Sequence, residues 1–391
     1  MRDRTARSPA GGDRRRVDRR GRAGDRPAGD FDRRVDDACS ALFGRRVQAG
    51  ARVESASPKG RLRRSDCAGA GIRRIGRGRG FSYEDGAGAR IDDEETLARI
   101  RALAIPPAWK EVWICPDPLG HIQATGQDEA GRKQYRYHER WEQRQAARKY
   151  EEMREFARRL PRLRRLVKRD LDREGMPRER ALACAVRLLD LGFFRIGGEE
   201  YAESNESFGV ATVLREHVRR EDKELVFDFP AKSGQRRVQS IRDPAAIEAI
   251  EAMRRRRGGP EDLLAFKDGR RWHDVRSDDV NAYIQDCVGE EFSAKDFRTW
   301  HGTVLAAVEL ADEPPPPSDV AAKRTIAAAV KGVAERLGNT PAVCRRSYID
   351  PRVFDRYRDG VTIDVPQPRR NGALSERARG RIERAVLELV G

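Results

Sequence analysis

The stretch from Leu337 to Pro351, Leu-Gly-Asn-Thr-Pro-Ala-Val-Cys-Arg-Arg-Ser-Tyr-Ile-Asp-Pro, constrains the fold most, because it places several helix boundaries close together. An alanine-rich pattern with helical spacing runs from about Ser318 to Leu337. Gly338 follows its last periodic position, where a left-handed glycine commonly caps a helix. Thr340 and Pro341 then read as an N-cap followed by proline at the first helical position. Pro351 stops this short second helix. Asn339 lies at the break, and Tyr348 falls in or just past the last turn of the short helix. An amide and a phenol are thus held beside a helix N-terminus, an end that favours anions. Tyrosines often bury the ring and leave the hydroxyl in water, so the role of Tyr348 depends on what the fold brings to it.

The net charge of +16 over 391 residues points towards nucleic acid, but its distribution matters more than its size. Residues 1–80 hold 22 Arg and one Lys against ten Asp and Glu, which is thirteen of the sixteen excess charges. Any nucleic-acid site in the remainder must come from local arrangement. The cysteines at 39, 67, 115, 184, 287 and 344 form no CxxC pair, and no two of the five histidines have metal-ligand spacing. With no secretory signal and no apolar run long enough to span a membrane, the chain reads as a cytoplasmic protein in a reducing compartment, without a metal site.

The fold class expected is α+β, with three parts. Residues 1–70, rich in Arg and Gly, read as a disordered tail, either a non-specific contact for phosphates or simply a solubilising segment. Residues 71–148 read as a small α+β DNA-binding domain. It has a strand over 80–85, a helix over 92–104 and two short strands at 112–115 and 121–125. Residues 149–391 read as a larger, mainly helical domain. Helical spacing starts near Tyr150 and recurs at 178–191, and a hairpin at 224–241 carries Lys232 at its tip. Ser293 caps a helix with Lys295 and Arg298 one turn apart.

Two sets of residues carry chemistry. In Gly131-Arg-Lys-Gln-Tyr-Arg-Tyr-His138, basic and aromatic residues interleave. Arg132, Lys133 and Arg136 suit phosphates, and Tyr135 and Tyr137 suit a sugar, base or phosphate; the same pattern also suits an edge strand with a solvated face. The second set is Arg195, Lys232, Arg298, Asn339 and Tyr348. A phenol is a weak nucleophile near neutral pH because its pKa is about 10. It attacks a phosphodiester if two guanidiniums clamp the non-bridging oxygens, an amide adds a hydrogen bond and a lysine protonates the departing alkoxide. Such electrostatic positioning takes the place of a metal ion.

Over residues 71–365 the chain resembles the bacterial, poxvirus-like branch of the type IB DNA topoisomerases. The likeness rests on an ordered set of motifs: Gly78-Arg-Gly-Phe-Ser-Tyr83, Ile105-Pro-Pro-Ala-Trp109, Gln123-Ala-Thr-Gly126, Gly131 to His138, Phe194-Arg-Ile-Gly197, the Lys232 hairpin, Lys295-Asp-Phe-Arg-Thr-Trp300, and Gly338-Asn-Thr-Pro followed by Ser347-Tyr-Ile-Asp-Pro351. The resemblance implies a helical catalytic domain of the kind shared with tyrosine recombinases. It implies that Tyr348 forms a 3′-phosphotyrosyl bond and that Arg195 and Arg298 stabilise the transition state. Lys232 would be the general acid, and Asn339 would stand where poxvirus and eukaryotic relatives have His. Lys295 would support the site, and His301, where relatives often have Asn, receives no role. It further implies a monomer clamping double-stranded DNA in the nucleoid, with no ATP, metal or other cofactor.

The alternative is a tyrosine recombinase, which shares this catalytic set. Recombinases usually carry His where this chain has Lys295, and an all-helical DNA-binding arm where this chain is β-containing. A non-catalytic DNA-binding protein is a third reading, in which Tyr348 would be dispensable.

Overall fold

The structure, a computed structural model, describes residues 60–78, 80–365 and 375–391. The chain divides into two compact units, Met1–His138 and Glu139–Gly391. The expected disordered tail falls mostly on residues 1–59, outside the described residues. Residues 60–70 belong to the first unit, so order begins before Gly71. Arg63 donates its backbone N–H to the Leu119 carbonyl and accepts from the His121 N–H, both at 2.9 Å. The Ser65 hydroxyl donates to the Ile122 carbonyl at 2.8 Å. Hydrogen bonds to a turn hold this segment rather than a buried apolar stripe, which is why periodicity misses it.

The first unit comprises β1 (Ile72–Arg77), β2 (Gly80–Glu84), α1 (Glu94–Ala102), β3 (Lys110–Ile114), β4 (Ile122–Gln127) and β5 (Lys133–Tyr137). Its strands form one antiparallel sheet in the order β2-β1-β3-β4-β5, which leaves β2 and β5 at the edges. The helix starts where its sequence provides a cap: the Asp93 carboxylate accepts from the Thr96 N–H at 2.9 Å. A small core of Ile72, Ile100, Trp109, Val112, Ile114 and Ala124 joins helix to sheet.

The second unit is mostly helical. In order it has α2 (Glu139–Leu171), α3 (Arg178–Gly192), α4 (Glu199–Asn205), β6 (Val218–Glu221), β7 (Glu224–Ala231), β8 (Gln235–Ile241), α5 (Pro244–Arg254), β9 (Ala265–Asp268), β10 (Arg271–Asp274), α6 (Ser277–Val288), α7 (Ala294–Ala311), α8 (Asp319–Leu337), α9 (Pro341–Ser347), α10 (Pro351–Arg358) and α11 (Glu376–Leu389). Position 148 lies inside α2. The first turns of that helix are charged on all sides, so its apolar pattern begins later than the helix does. Met153, Phe156, Leu160, Leu163 and Val167 then bury one stripe of it. The Phe156 ring meets Phe297 of α7 at a centroid distance of 5.0 Å and an angle of 76°, which fixes α7 against α2.

The strands β6, β7 and β8 form an antiparallel sheet with β7 in the middle. Leu225, Phe227 and Phe229 alternate into the core. Phe194, just after α3, packs on the same face, its ring 5.0 Å from that of Phe227 and 6.1 Å from that of Phe229. Burying one such ring stabilises by about 1.5–3 kcal/mol. The residue that follows it, Arg195, is anchored by this contact.

The break after α8 forms as its residues dictate. The Ser318 hydroxyl caps α8, and Gly338 ends it in the left-handed region at φ 63°, ψ 49°. The Thr340 hydroxyl caps α9 by accepting from the Val343 N–H at 3.4 Å. Pro351 does more than stop α9: it is the first residue of α10, whose cap is the Asp350 carboxylate. Tyr348 is therefore the hinge residue between two short helices. Among the described residues, no helix is long and apolar enough to cross a membrane.

Candidate active site

The C-terminal end of α8 is the floor of the site. Its last carbonyls lack helical partners and carry the negative end of the helix dipole, so they attract cations. Three consecutive carbonyls are each taken by an arginine. Arg237 donates to the Arg336 carbonyl. Arg298 Nη2 donates to the Leu337 carbonyl at 2.8 Å, and Arg195 Nη2 donates to the Gly338 carbonyl at 2.8 Å. Arg298, which is 5% exposed, also donates Nη1 to the Phe193 carbonyl at 2.7 Å. That carbonyl is available because Phe193 leaves α3 in a left-handed conformation at φ 54°.

Asn339 completes the row. Its Oδ1 accepts from Arg195 Nη2 at 2.6 Å. Arginine only donates, so this contact fixes which end of the amide faces it. The other end, Nδ2, is buried without a partner among the described residues, and so is Arg298 Nε. Among the described residues, no carboxylate pairs with Arg195, Arg237 or Arg298. Carbonyl dipoles orient these guanidiniums without cancelling their charge. Burial pushes the Arg195 guanidinium down to about 10, with the Arg298 and Arg237 charges adding to the effect and Tyr348 opposing it.

Tyr348 stands against this assembly. The Arg298 guanidinium carbon lies 5.1 Å from the centre of its ring, a cation–π contact. The turn that carries it is gripped from two sides. On one side Lys149 donates to the Ser347 carbonyl, and its ammonium lies 6.0 Å from the Tyr348 ring centre. The neighbouring Tyr150 donates its hydroxyl to the Ile349 carbonyl at 2.8 Å, and burial pushes that phenol's pKa up. On the other side the Asp350 N–H donates to Thr303 Oγ1 at 3.1 Å. Beside Thr303, Gly302 allows the closest approach: a Cβ there would lie 2.3 Å from the Tyr348 carbonyl oxygen.

The fold thus brings Arg195, Arg298, Asn339 and Tyr348 together. Lys232 lies exposed in the 3-10 turn between β7 and β8. Lys295 lies exposed in the first turn of α7, one turn before Arg298. The DNA-binding candidates of the first unit lie on or beside its edge strand β5 and separate by face. Lys133, Tyr135 and Tyr137 form one row, with the two tyrosine rings stacked at 5.9 Å and 17° and the Lys133 ammonium 5.8 Å from the Tyr135 ring. Arg136 points the other way, donating to the Ala104 carbonyl at 2.9 Å and lying 5.9 Å from the Trp109 ring. Arg132 is paired with Asp128 at 2.8 Å. Among the described residues, no group of three or more His, Cys, Asp or Glu side chains is placed to hold a metal ion.

Two family models match the chain. The one described as eukaryotic DNA topoisomerase I, catalytic core, covers residues 138–363, and the one described as bacterial DNA topoisomerase IB, N-terminal domain, covers residues 80–128. The chain belongs to the type IB DNA topoisomerases. A relative, the DNA topoisomerase 1B of Acanthamoeba polyphaga mimivirus, is 32% identical over 269 residues, which is 67% of this chain and 80% of that protein. The DNA topoisomerase 1B of vaccinia virus (strain Copenhagen) is 22% identical over 286 residues, 70% of this chain and 86% of that protein. The substrate of this topoisomerase is DNA, and its two matched segments place a bacterial-type N-terminal domain before the catalytic core.

Several residues of the topoisomerase site carry no signal in the sequence. Arg237 and Lys149 look like ordinary solvated cations until a strand face and a helix turn aim them. Gly302 reads as a weak point inside a helix, although it is the residue that admits the Tyr348 turn.

Proposed function

We propose that this topoisomerase cuts and reseals one DNA strand through Tyr348. The Tyr348 hydroxyl gives up its proton to water, and its oxygen attacks a phosphorus atom of the backbone. The bond from phosphorus to the 5′ oxygen of the next nucleotide breaks, and a 3′-phosphotyrosyl link forms. Lys232, at the tip of its hairpin, donates the proton that lets the 5′ oxygen leave as a hydroxyl. Arg195 and Arg298 neutralise the non-bridging oxygens as charge builds on them, and the Nδ2–H of Asn339 donates to one of those oxygens. Lys295 supports the site from the turn before Arg298. The duplex beyond the cut rotates to release torsion, and reversal of the same steps reseals the strand. The phosphotyrosyl bond conserves the energy of the broken linkage, so the cycle needs no nucleotide.

What supports the reading most is the row of arginines held on carbonyls alone beside the Tyr348 ring. It is a preorganised anion site whose charge no carboxylate quenches among the described residues. In the first unit, Lys133, Tyr135 and Tyr137 line the backbone contact, joined by the less well placed Arg132 and Arg136. The enzyme acts as a monomer closing on double-stranded DNA, in the cytoplasm at the nucleoid.

Relaxation of supercoiled plasmid in EDTA without ATP tests this, with Tyr348→Phe as the comparison. The wild type relaxes the plasmid and leaves a denaturant-trapped adduct at the 3′ end of the nick; the Phe variant does neither. An adduct formed only on paired recombination sites, without relaxation, would instead mark a recombinase. Relaxation retained by the Phe variant would remove Tyr348 from the reaction.

A further inference from the structure

One guanidinium of the site is not used in the cycle above. Arg237 lies on β8, five residues after Lys232. It shares the carbonyl row with the two catalytic arginines, and its Nη2 also donates to Gln239 Oε1 at 3.0 Å. A Cβ built on Gly338 would lie 3.4 Å from Arg237 Nη1 and 3.9 Å from Arg195 Nη1, so the two guanidiniums flank one glycine. The alternation of β8 selects Arg237 for this place. Its neighbour Arg236 faces the other way and is paired with Asp228, with Nε 2.6 Å from Oδ1.

Burial, and then the charge of Arg298, push the Arg237 guanidinium below the ordinary arginine range. Arg237 takes the carbonyl of Arg336, the member of the row farthest along the chain from Asn339 and Tyr348, whereas Arg195 reaches Gly338 and Asn339 themselves. Arg237 is thus the member of the row set back from the nucleophile. Gathering three cations, Arg298 buried and Arg195 and Arg237 half-buried, with no carboxylate paired to them among the described residues, is costly unless a ligand supplies anions. A single phosphate offers two non-bridging oxygens, and Arg195, Arg298 and Asn339 already address them.

We propose that Arg237 binds the phosphate adjoining the scissile one on the cleaved strand, holding that strand in register for attack. The assignment rests on Tyr348 being the nucleophile.

The test uses the full chain and a duplex whose cleavage position has first been mapped by the wild-type adduct. Absence of a Tyr348-dependent adduct at this mapping step would fault the cleavage reading itself, before Arg237 is examined. On the mapped duplex, Arg237→Gln slows single-turnover cleavage roughly ten- to hundredfold, the usual effect of losing a charge-assisted contact. The plot of log affinity against log salt becomes shallower by about one. Replacing single phosphates by uncharged methylphosphonates then locates the contact. A neutral linkage at one adjoining position slows the wild type but slows Arg237→Gln no further, while a neutral scissile linkage slows both enzymes equally. Independent effects at both adjoining linkages, or coupling at the scissile linkage, would overturn the assignment. Arg237→Lys guards against a folding artefact, since it loses the fork that reaches Gln239 and Arg336 but keeps the charge. It recovers the salt dependence; a slope as shallow as that of the Gln variant would show that only contacts within the protein matter, and the proposal would fall.

Discussion

Asn339 accepts from Arg195 through its side-chain oxygen at 2.6 Å, and its buried nitrogen has no partner among the described residues. One contact thereby orients two groups of the proposed site. The arginine is held by the amide oxygen, which leaves the amide nitrogen as the donor that, in the proposed reaction, meets a phosphate oxygen. An amide at this position also gives a donor that does not titrate, in contrast to an imidazole.

Asn339→Asp tests this directly. The acceptor for Arg195 is retained, but the free end becomes a second acceptor carrying negative charge. Single-turnover cleavage is expected to fall by about 10²–10³ or more, the range for losing one transition-state donor. Asn339→Ala, which removes the donor without adding repulsion, is expected to fall less. Equal rates for the two variants would mean that the nitrogen does not meet the phosphate.

The assignment of Lys232 as proton donor predicts a rescue. Lys232→Ala slows cleavage on an ordinary linkage, because a 5′ alkoxide is a poor leaving group. On a duplex whose scissile bridging oxygen is replaced by sulfur, the leaving thiolate needs little protonation, and the variant is expected to approach the wild-type rate. An undiminished defect on that substrate would leave Lys232 with a role in binding only.

Gly302 predicts a defect of geometry rather than of chemistry. Alanine there brings a Cβ to 2.3 Å from the Tyr348 carbonyl oxygen and 3.1 Å from the Tyr348 Cβ, so the turn must move outward. A displacement of about 1 Å can cost a hundredfold in rate. Gly302→Ala is expected to lose cleavage on about that scale while duplex affinity stays within about threefold, since backbone phosphates dominate binding. A normal rate would show that the turn adjusts freely.

How much of this was legible beforehand follows from how local each signal is. The end of α8 at Gly338, the cap at Thr340 and the alternation of Leu225, Phe227 and Phe229 are written within a few residues of where they act. The convergence of Arg195 on Asn339 spans 144 positions, and no periodicity in the chain encodes it; only the resemblance to a family brought those residues together. Pro351 reads as a stop, although the same ring that ends α9 also suits the first turn of α10. The start of α2 escapes a reading of periodicity because its early turns have no apolar face, and residues 60–70 because hydrogen bonds and the Arg63–Asp117 ion pair, not an apolar stripe, hold them. The separation of Lys133, Tyr135 and Tyr137 from Arg136 needed the register of β5, which composition does not contain.

His301, given no role by the motif comparison, predicts a pH dependence of stability. It is buried, one turn after Arg298, with its Nε2 3.3 Å from Arg379 Nη2 and 3.6 Å from Asp190 Oδ1. Asp190 in turn accepts from Arg164 Nε at 2.9 Å and Arg379 Nη2 at 2.7 Å, and Glu383 of α11 accepts from Arg164 Nη1 at 2.6 Å. Burial, with the Arg379 charge adding to it, holds the imidazole pKa below its ordinary value despite the carboxylate. The folded state therefore binds a proton on His301 less readily than the unfolded chain does. Its contribution is full above the unfolded value of about 6.5 and is lost as pH falls through that value towards the lower folded one. His121 and His217 are lowered as well and act with the same sign. Asp190, held well below the carboxylate range chiefly by Arg379 and Arg164 against the cost of burial, loses its contribution only in stronger acid. The melting temperature of the wild type is thus expected to fall between about pH 7.5 and 5.5, and that of His301→Asn to fall less steeply across the same window. Asp190→Asn, which leaves Arg164 and Arg379 to share the carboxylate of Glu383, is expected to be less stable by about 3–5 kcal/mol at neutral pH. Parallel melting curves for the wild type and His301→Asn would show that the buried imidazole is not the titrating group.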